Sequence, residues 1–303
     1  QTVSPTATFN SLTLIEGTDY TTSFTGNTNV GTASVTLTGI GNYKGEKTVG
    51  FTITSKTLTI TADDQSKVYD SAVYTPTDYT VSYDGFVNGE TNSVLSSTLT
   101  YTGTALTATA SGTYVITPEG FTSSNYSITY VSGVLSITQK PISIAITDLS
   151  KIYGDLDPSL AHTISTGSVY GQTPTGSLTR TLGEEVGTYT ISKGNLTYGS
   201  NYIETFINGE LTITARTITV TAEAKTKVFG ATDPELTYTP TPDVGLAVTL
   251  GSSQTVTFTG AITRDAGENA GTYSITLGTL TNTNYTIDYV GADFTITKAP
   301  TDI

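Results

Sequence analysis

Residues 209 to 222 read Gly209-Glu-Leu-Thr-Ile-Thr-Ala-Arg-Thr-Ile-Thr-Val-Thr-Ala222, with large apolar residues alternating with Thr on both sides of Ala215-Arg216. Alternation at period two marks half-buried strands, in which Leu, Ile and Val face a core and β-branched Thr faces water. The pattern recurs at Leu58-Thr-Ile-Thr-Ala, Tyr114-Val-Ile-Thr and Tyr126-Ser-Ile-Thr-Tyr. Gly-Thr, Asn-Gly and Asp-Gly pairs supply turns between them. The reading is all-β, and the composition agrees: 68 of 303 residues are Thr, beside 30 Gly and 19 Tyr. The best helix candidate is a short stretch around Phe86-Val-Asn-Gly-Glu.

Working outward, four landmarks recur in one order. Lys67-Val-Tyr-Asp, Lys151-Ile-Tyr-Gly and Lys227-Val-Phe-Gly lie 84 and 76 residues apart. Gly112-Thr-Tyr, Gly187-Thr-Tyr and Gly271-Thr-Tyr follow, then Asn125-Tyr, Asn201-Tyr and Asn284-Tyr. Each unit closes on Leu135-Ser-Ile-Thr, Leu211-Thr-Ile-Thr or Phe294-Thr-Ile-Thr. Residues 1 to 55 carry only the later landmarks, namely Gly31-Thr-Ala, Asn42-Tyr-Lys-Gly and Phe51-Thr-Ile-Thr. The chain is therefore divided into a short or truncated β-module over 1–55, full units over 56–139, 140–215 and 216–298, and the start of a further module over 299–303. A unit of roughly 80 residues supports about six strands in two layers. Joints of two or three residues, Ser55-Lys-Thr, Gln139-Lys-Pro, Ala215-Arg and Lys298-Ala-Pro, are too short for flexible tethers. The expected architecture is a tandem array of small β-sandwich or β-grasp-like modules forming an extended rod.

The chemistry is bounded as sharply. Thirteen Lys and Arg stand against 26 Asp and Glu, a net charge of -13, which repels phosphate backbones and anionic headgroups and makes nucleic acid a poor partner. The absence of Cys removes disulfides, thiol catalysis and thiolate metal sites, and a single His cannot build a multi-histidine centre. No apolar run reaches about 18 residues, so no membrane insertion as a helix is expected in this segment. The chain opens at Gln1 without an initiator Met or a basic n-region, and is expected to be a mature protein or an excised piece.

The pattern Lys151-Ile-Tyr-Gly-Asp-Leu-Asp-Pro, then Gly176-Ser-Leu-Thr-Arg, Gly183-Glu, Gly187-Thr-Tyr and Leu211-Thr-Ile-Thr, resembles the MBG-type repeat of large bacterial, Bacteroidetes-like, cell-surface adhesins or filament proteins. Unit 216–298 repeats it, whereas unit 56–139 departs from it at Asp70 and Val73-Tyr74 and carries extra residues before Gly112. The segment 1–55 resembles a short β-module preceding such repeats. The resemblance implies an extracellular location on a bacterial cell surface and a structural stalk or filament that spaces an adhesive tip from the cell. The alternative is a carbohydrate- or mucin-binding module with shallow Tyr-lined sites. The partners expected are neighbouring repeats of the same chain, with host or surface glycans as the alternative, and no enzyme activity is expected.

Candidate residues follow from recurrence. Tyr69, Tyr153 and Phe229, then Tyr114, Tyr189 and Tyr273, then Tyr126, Tyr202 and Tyr285 are read as packing landmarks, one ring in the same place in each core. His162 aligns with Tyr238 of the next unit, which points to packing rather than general-base chemistry. No cofactor is expected. Asp155, Asp157 and Asp233 are weak calcium candidates, with Asp63 and Asp64 in the unit before, although Asp beside Gly or Pro is ordinary turn chemistry. The recurring Lys67, Lys151 and Lys227 are read as covering a Tyr ring with their stems, and a Lys to Asn isopeptide link to Asn125, Asn201 or Asn284 is the sharper alternative. Arg180 and Arg264, each before a Gly-Glu pair, suggest a local ion pair bracing a hairpin.

Overall fold

The computed structural model describes residues 3–241 and 257–301. Residues 242–256, which fall within the unit from 216 to 298, and the last two of the expected further module, 302–303, lie outside the described residues. The chain divides into two compact units, Gln1–Lys140 and Pro141–Ile303.

The first compact unit begins with a three-stranded antiparallel sheet, Tyr20–Thr25 beside Gly31–Gly39 beside Glu46–Ile53, preceded by the hairpin of Thr8–Phe9 and Leu12–Thr13. From residue 56 the chain forms two sheets. One has the order Gln65–Val68, Gly133–Thr138, Gly112–Glu119, Thr100–Thr102, and the other Tyr126–Val131, Lys56–Ala62, Val81–Asp84.

The second compact unit repeats that plan twice. Leu149–Ile152, Gly209–Thr214, Gly187–Ser192 and Thr179–Arg180 form a four-stranded sheet, and His162–Thr166, Lys140–Ile146 and Tyr202–Ile207 a three-stranded one. Lys225–Val228, Ala292–Thr297, Gly271–Thr276 and Thr263–Arg264 then form a four-stranded sheet beside Tyr238–Thr241, Arg216–Ala222 and Tyr285–Val290. Each plan uses seven described strands rather than six, because short edge strands join the longer alternating ones.

Two features are invisible to a period-two reading. The opening strand pairs in parallel with the strand after the Asn-Tyr landmark, Arg216 facing Tyr285 and Thr221 facing Val290. The Lys strand pairs in parallel with the closing strand, Lys227 facing Ile296. Both sheets feed one core: Ile218 and Val220 from one meet Ile275, Phe294 and Ile296 from the other, and Ile146 meets Ile191, Leu211 and Ile213 in the module before. Burying each such side chain contributes about 1.5–3 kcal/mol.

Gly112 faces Ile137, Gly187 faces Ile213 and Gly271 faces Ile296. In the first module Gly31 faces Ile53, so its sheet keeps the register of the four-stranded sheets. Only residues 40–45 connect Gly39 to Glu46 there. Asn42-Tyr43 therefore sits in a connection and not at the start of a strand, as its counterparts do.

The helix expected around Phe86 is a turn instead, closed by the Glu90 amide donating to the Val87 carbonyl at 3.0 Å, with Asn88 at φ 55°. A segment this short cannot offset the cost of helix nucleation, and Asn-Gly satisfies the turn directly. The described helical turns are Pro76–Asp78, Asn92–Val94 and Thr104–Thr107. No helix among the described residues is long and apolar enough to cross a membrane.

Candidate functional site

Two places gather polar side chains at repeated positions: a ring of charges inside the modules 140–215 and 216–298, and the joint within each compact unit.

Lys151 stands on the edge strand Leu149–Ile152, paired with the closing strand, and its side chain is only 4% exposed. A buried ammonium must be compensated, and three acceptors converge on Nζ: the Asp155 carbonyl at 3.2 Å, Asp157 Oδ1 at 2.7 Å and Glu184 Oε2. The other oxygens of the two carboxylates take Arg180, whose Nε reaches Asp157 Oδ2 at 2.5 Å and whose Nη2 reaches Glu184 Oε1. Arg180 Nη1 also donates to the carbonyls of Thr181 and Gly183, at 2.8 and 2.7 Å. Lys, Asp, Arg and Glu thus alternate around a closed, neutral ring.

The next module rebuilds it. Lys227 Nζ meets Asp233 Oδ1 at 2.6 Å and Glu268 Oε2 at 2.5 Å, while Arg264 meets Asp233 Oδ2 at 2.6 Å and Glu268 Oε1 at 2.5 Å. The Arg264 guanidinium also lies 4.7 Å from the centroid of Phe294 in the core, a cation–π contact. In module 56–139 Lys67 has only Asp70, at 2.6 Å, and the Ala72 carbonyl. The extra residues before Gly112 form the turn Thr104–Thr107, burying Ala105.

Burial pulls the Lys151 ammonium down, yet the bonds from Asp157 and Glu184 outweigh it and leave its pKa raised. Burial would raise Asp157, but Arg180 and Lys151 hold it below the usual carboxylate range. Arg264 and then Lys227 lower Asp233 to about 2. Asp157 and Asp233 are therefore engaged by cations, and Asp155 pairs with Arg216. Asp64 Oδ1 accepts the Val134 amide at 2.8 Å. Among the described residues no group of three or more His, Cys, Asp or Glu could hold a metal ion.

A Lys beside an Asp and a Glu also has the parts for isopeptide formation, in which Nζ attacks the carboxyl carbon and water leaves. That step needs a neutral amine and a protonated acid, whereas the ring raises the Lys151 pKa and lowers that of Asp157 and so favours the charged form of both. An intact mass of the full chain equal to its sequence mass is expected, and a species lighter by one water would refute this. The expected Lys to Asn alternative is not what the structure pairs: Lys151 Nζ is held by Asp155, Asp157 and Glu184 and Lys227 Nζ by Asp233 and Glu268, whereas Asn284 reaches into the module before.

That reach defines the joint. Asn284 is 8% exposed; its Oδ1 accepts the Val186 amide at 2.9 Å and its Nδ2 donates to Glu185 Oε2. At the joint within the first compact unit, Asn125 Oδ1 accepts the Val30 amide at 3.0 Å and Nδ2 donates to Asn29 Oδ1 at 3.0 Å. Val30-Gly31-Thr and Val186-Gly187-Thr are the same landmark, so one side chain clasps the same backbone position in both. Around the second clasp, the Tyr285 ring meets Tyr153 edge-on at 5.4 Å. Arg216 Nε donates to the Tyr153 carbonyl at 2.7 Å, and its Nη2 pairs with Asp155.

The landmark rings divide by role. Tyr69, Tyr153, Tyr126 and Tyr202 are buried, and Tyr285 is half-buried against the joint. Tyr114, Tyr189 and Tyr273 are half-buried rather than enclosed. Each hydroxyl donates to the carbonyl four residues earlier, Ala110 at 3.0 Å, Glu185 at 2.8 Å and Asn269 at 3.0 Å, so each ring braces the loop before its Gly-Thr pair, and for Tyr189 that loop carries the clasp. A Cβ on Gly183 would stand 2.1 Å from the Tyr189 ring. Phe229, expected in a core, is 51% exposed, since Tyr153, in its place one module earlier, is covered by Tyr285 of the following module.

His162 pairs with Ile146 and meets the Tyr198 hydroxyl at 3.1 Å, and Tyr238 pairs with Ala222 at the same place in the next module. Arg180 and Arg264 do brace their Gly-Glu hairpins, but they also cross to Asp157 and Asp233. Sequence reasoning missed that Lys and Arg share carboxylates. The signal was available: Lys to Asp is six residues and Arg to Glu four in both units, and unit 56–139 lacks the Arg-Glu pair and the Asp together.

A comparison with solved structures returns a structure titled "Structure of surface layer protein SbsC, domains 4-9", 14% identical, covering 94% of this chain and 59% of that one at a TM-score of 0.19; so weak a likeness carries no argument. This chain thus spans less than two thirds of that structure's length. No curated protein matches the chain. Residues 58–136, 142–212 and 218–295 each match the family described as the MBG domain (YGX type). With the register and the landmarks repeated across those three stretches, the chain belongs to the MBG domain family.

Proposed function

We propose that this chain is a structural repeat region of a bacterial surface adhesin or filament, located outside the cell, where its modules space an adhesive tip from the surface. One observation carries the reading: the same Asn clasp recurs at two joints, so the polar residues that repeat along the chain serve the integrity of modules and joints. The charge rings serve the same end, as their groups are taken up by one another. No catalytic role is assigned to any residue.

The test is mechanical. Stretching single full-length chains between the termini should give successive unfolding events. With landmarks such as Lys151 and Lys227 spaced 76 residues apart, each full module should release roughly 250 Å of extended chain at about 3.3–3.6 Å per residue. Featureless extension at low force would remove the mechanical reading.

A second reading, carbohydrate binding, has one observation in its favour. A groove of about 490 Å³ in the first module is lined by Phe9, Tyr43, Leu14, Lys44 and Glu46 among others, with Phe9 exposed and edge-on to Tyr43 at 5.8 Å. Glycan binding that is abolished by Phe9→Ala would favour it over the stalk.

A further inference from the structure

The two ends of a joint are chemically distinct, and the module 216–298 carries a second copy of one of them. In the established joint, the receiving face of module 140–215 consists of the Tyr153 ring, the Val186 amide and the Glu185 side chain, with Asp155 at its edge. The same positions of module 216–298 are Phe229, Ala270, Asn269 and Ala231. The equivalence is geometric: the Tyr153 and Phe229 amides donate to the Thr214 and Thr297 carbonyls, both at 2.8 Å. The Tyr189 and Tyr273 hydroxyls hold the carbonyls of Glu185 and Asn269. Tyr153 is 6% exposed and Phe229 51% exposed.

We infer that the face formed by Phe229, Asn269 and Ala270 is a docking surface for one further module of this family, which would place an Asn-Tyr pair there as Asn284-Tyr285 does on module 140–215.

Three observations identify this occupant. An Asn side chain matches the face, since Asn29 already receives Asn125 in the first compact unit, and Asn269 stands in the place of Asn29. An aromatic ring matches Phe229 as Tyr285 matches Tyr153, and Phe229 brings no hydroxyl that a partner would have to satisfy. The third is a paired change at the edge. Arg216 stands two residues beyond Thr214 and pairs with Asp155; two residues beyond Thr297 stands Ala299, and Ala231 replaces Asp155. Both members of that ion pair are absent together, so a module entering through Ala299-Pro300 leaves neither a buried cation nor a buried anion without a partner. A partner entering with Arg at that place would be mismatched.

The inference rests on joint geometry and not on the surface role proposed above. Its test continues the full chain. The chain is continued after Pro300, in place of residues 301–303, by a second copy of residues 218–298, which keeps Ala299-Pro300 at the entry and the core residues Ile218 and Val220 in the opening strand, and it is compared with the unextended protein by hydrogen exchange. The Ala270 amide is expected to exchange at least tenfold more slowly in the extended chain. Asn284→Ala confined to the added copy should restore the fast rate while the added closing strand stays protected. Unchanged exchange at Ala270 beside a folded added module overturns the inference. So does an added module that fails to fold, because residues 218–298 fold behind module 140–215. Protection of Ala270 in the unextended protein that grows with concentration would show the face to be an interface between two chains, and would also overturn it.

Discussion

Replacing Phe294 by Ala should destabilise the module 216–298 by about 3–5 kcal/mol, while Phe229→Ala in the same module should change its stability by less than about 0.5 kcal/mol. Phe294 is fully buried, between Ile218 and Val220 of one sheet and Ile275 and Ile296 of its own. Its loss opens a cavity that both layers would have to collapse to fill. It also removes the ring beneath Arg264. Module stabilities are only several kcal/mol, so hydrogen exchange on the full chain should show Phe294→Ala unprotecting 216–298 while 56–139 keeps its protection. Equal effects of the two substitutions would mean that the assignment of core and surface is wrong.

Lys151→Met should cost the module 140–215 about 1–3 kcal/mol near neutral pH. Removing one partner of a buried pair typically costs about 3–5 kcal/mol; the figure is reduced here because Asp157 is 39% exposed and water compensates part of the loss. The pH dependence has a definite sign. Asp157 and Asp233 have folded pKa values below the ordinary aspartate value of 3.8, so their contribution is complete above that value and is lost as pH falls, towards about 2 for Asp233. Lys151 is raised above 10.5, so its contribution is complete below that and is lost as pH rises through the raised value. The difference between wild type and Lys151→Met should therefore be greatest between these limits and shrink at both extremes. Denaturant unfolding across pH would show it. A difference independent of pH would mean that the Lys acts by packing alone.

The strands were legible because alternation of Leu or Ile with Thr is a local pattern, and the modules because Gly-Thr-Tyr and Asn-Tyr repeat in order. Pairing was not. That Lys227 runs parallel to Ile296 depends on residues about 70 positions apart, for which no local periodicity exists. Asn125 and Asn284 were visible as turn residues, yet their partners stand in the preceding module, 95 to 99 residues away. The charge ring was half legible: Arg180 and Glu184 are close in sequence, whereas Lys151 enters by folding. Phe229 shows the converse, because recurrence alone places it with Tyr153 although what covers the ring belongs to a different module.

The Asn clasp has a consequence for how such chains change length. In the second compact unit, Asn284 at one end of module 216–298 grips the backbone of the module before, and the other end presents Asn269 and Ala270 in the arrangement that receives a grip. A unit with a plug at one end and a socket at the other can be duplicated or deleted whole without exposing an unmatched surface. Unequal recombination between repeats would yield shorter and longer chains that all fold, as long as the crossover falls at equivalent positions. The exception is written at the edge of the joint: a crossover that set Arg216 against Ala231 would strand a cation, so exchange is favoured where Asp155 travels with Arg216 and Ala231 with Ala299.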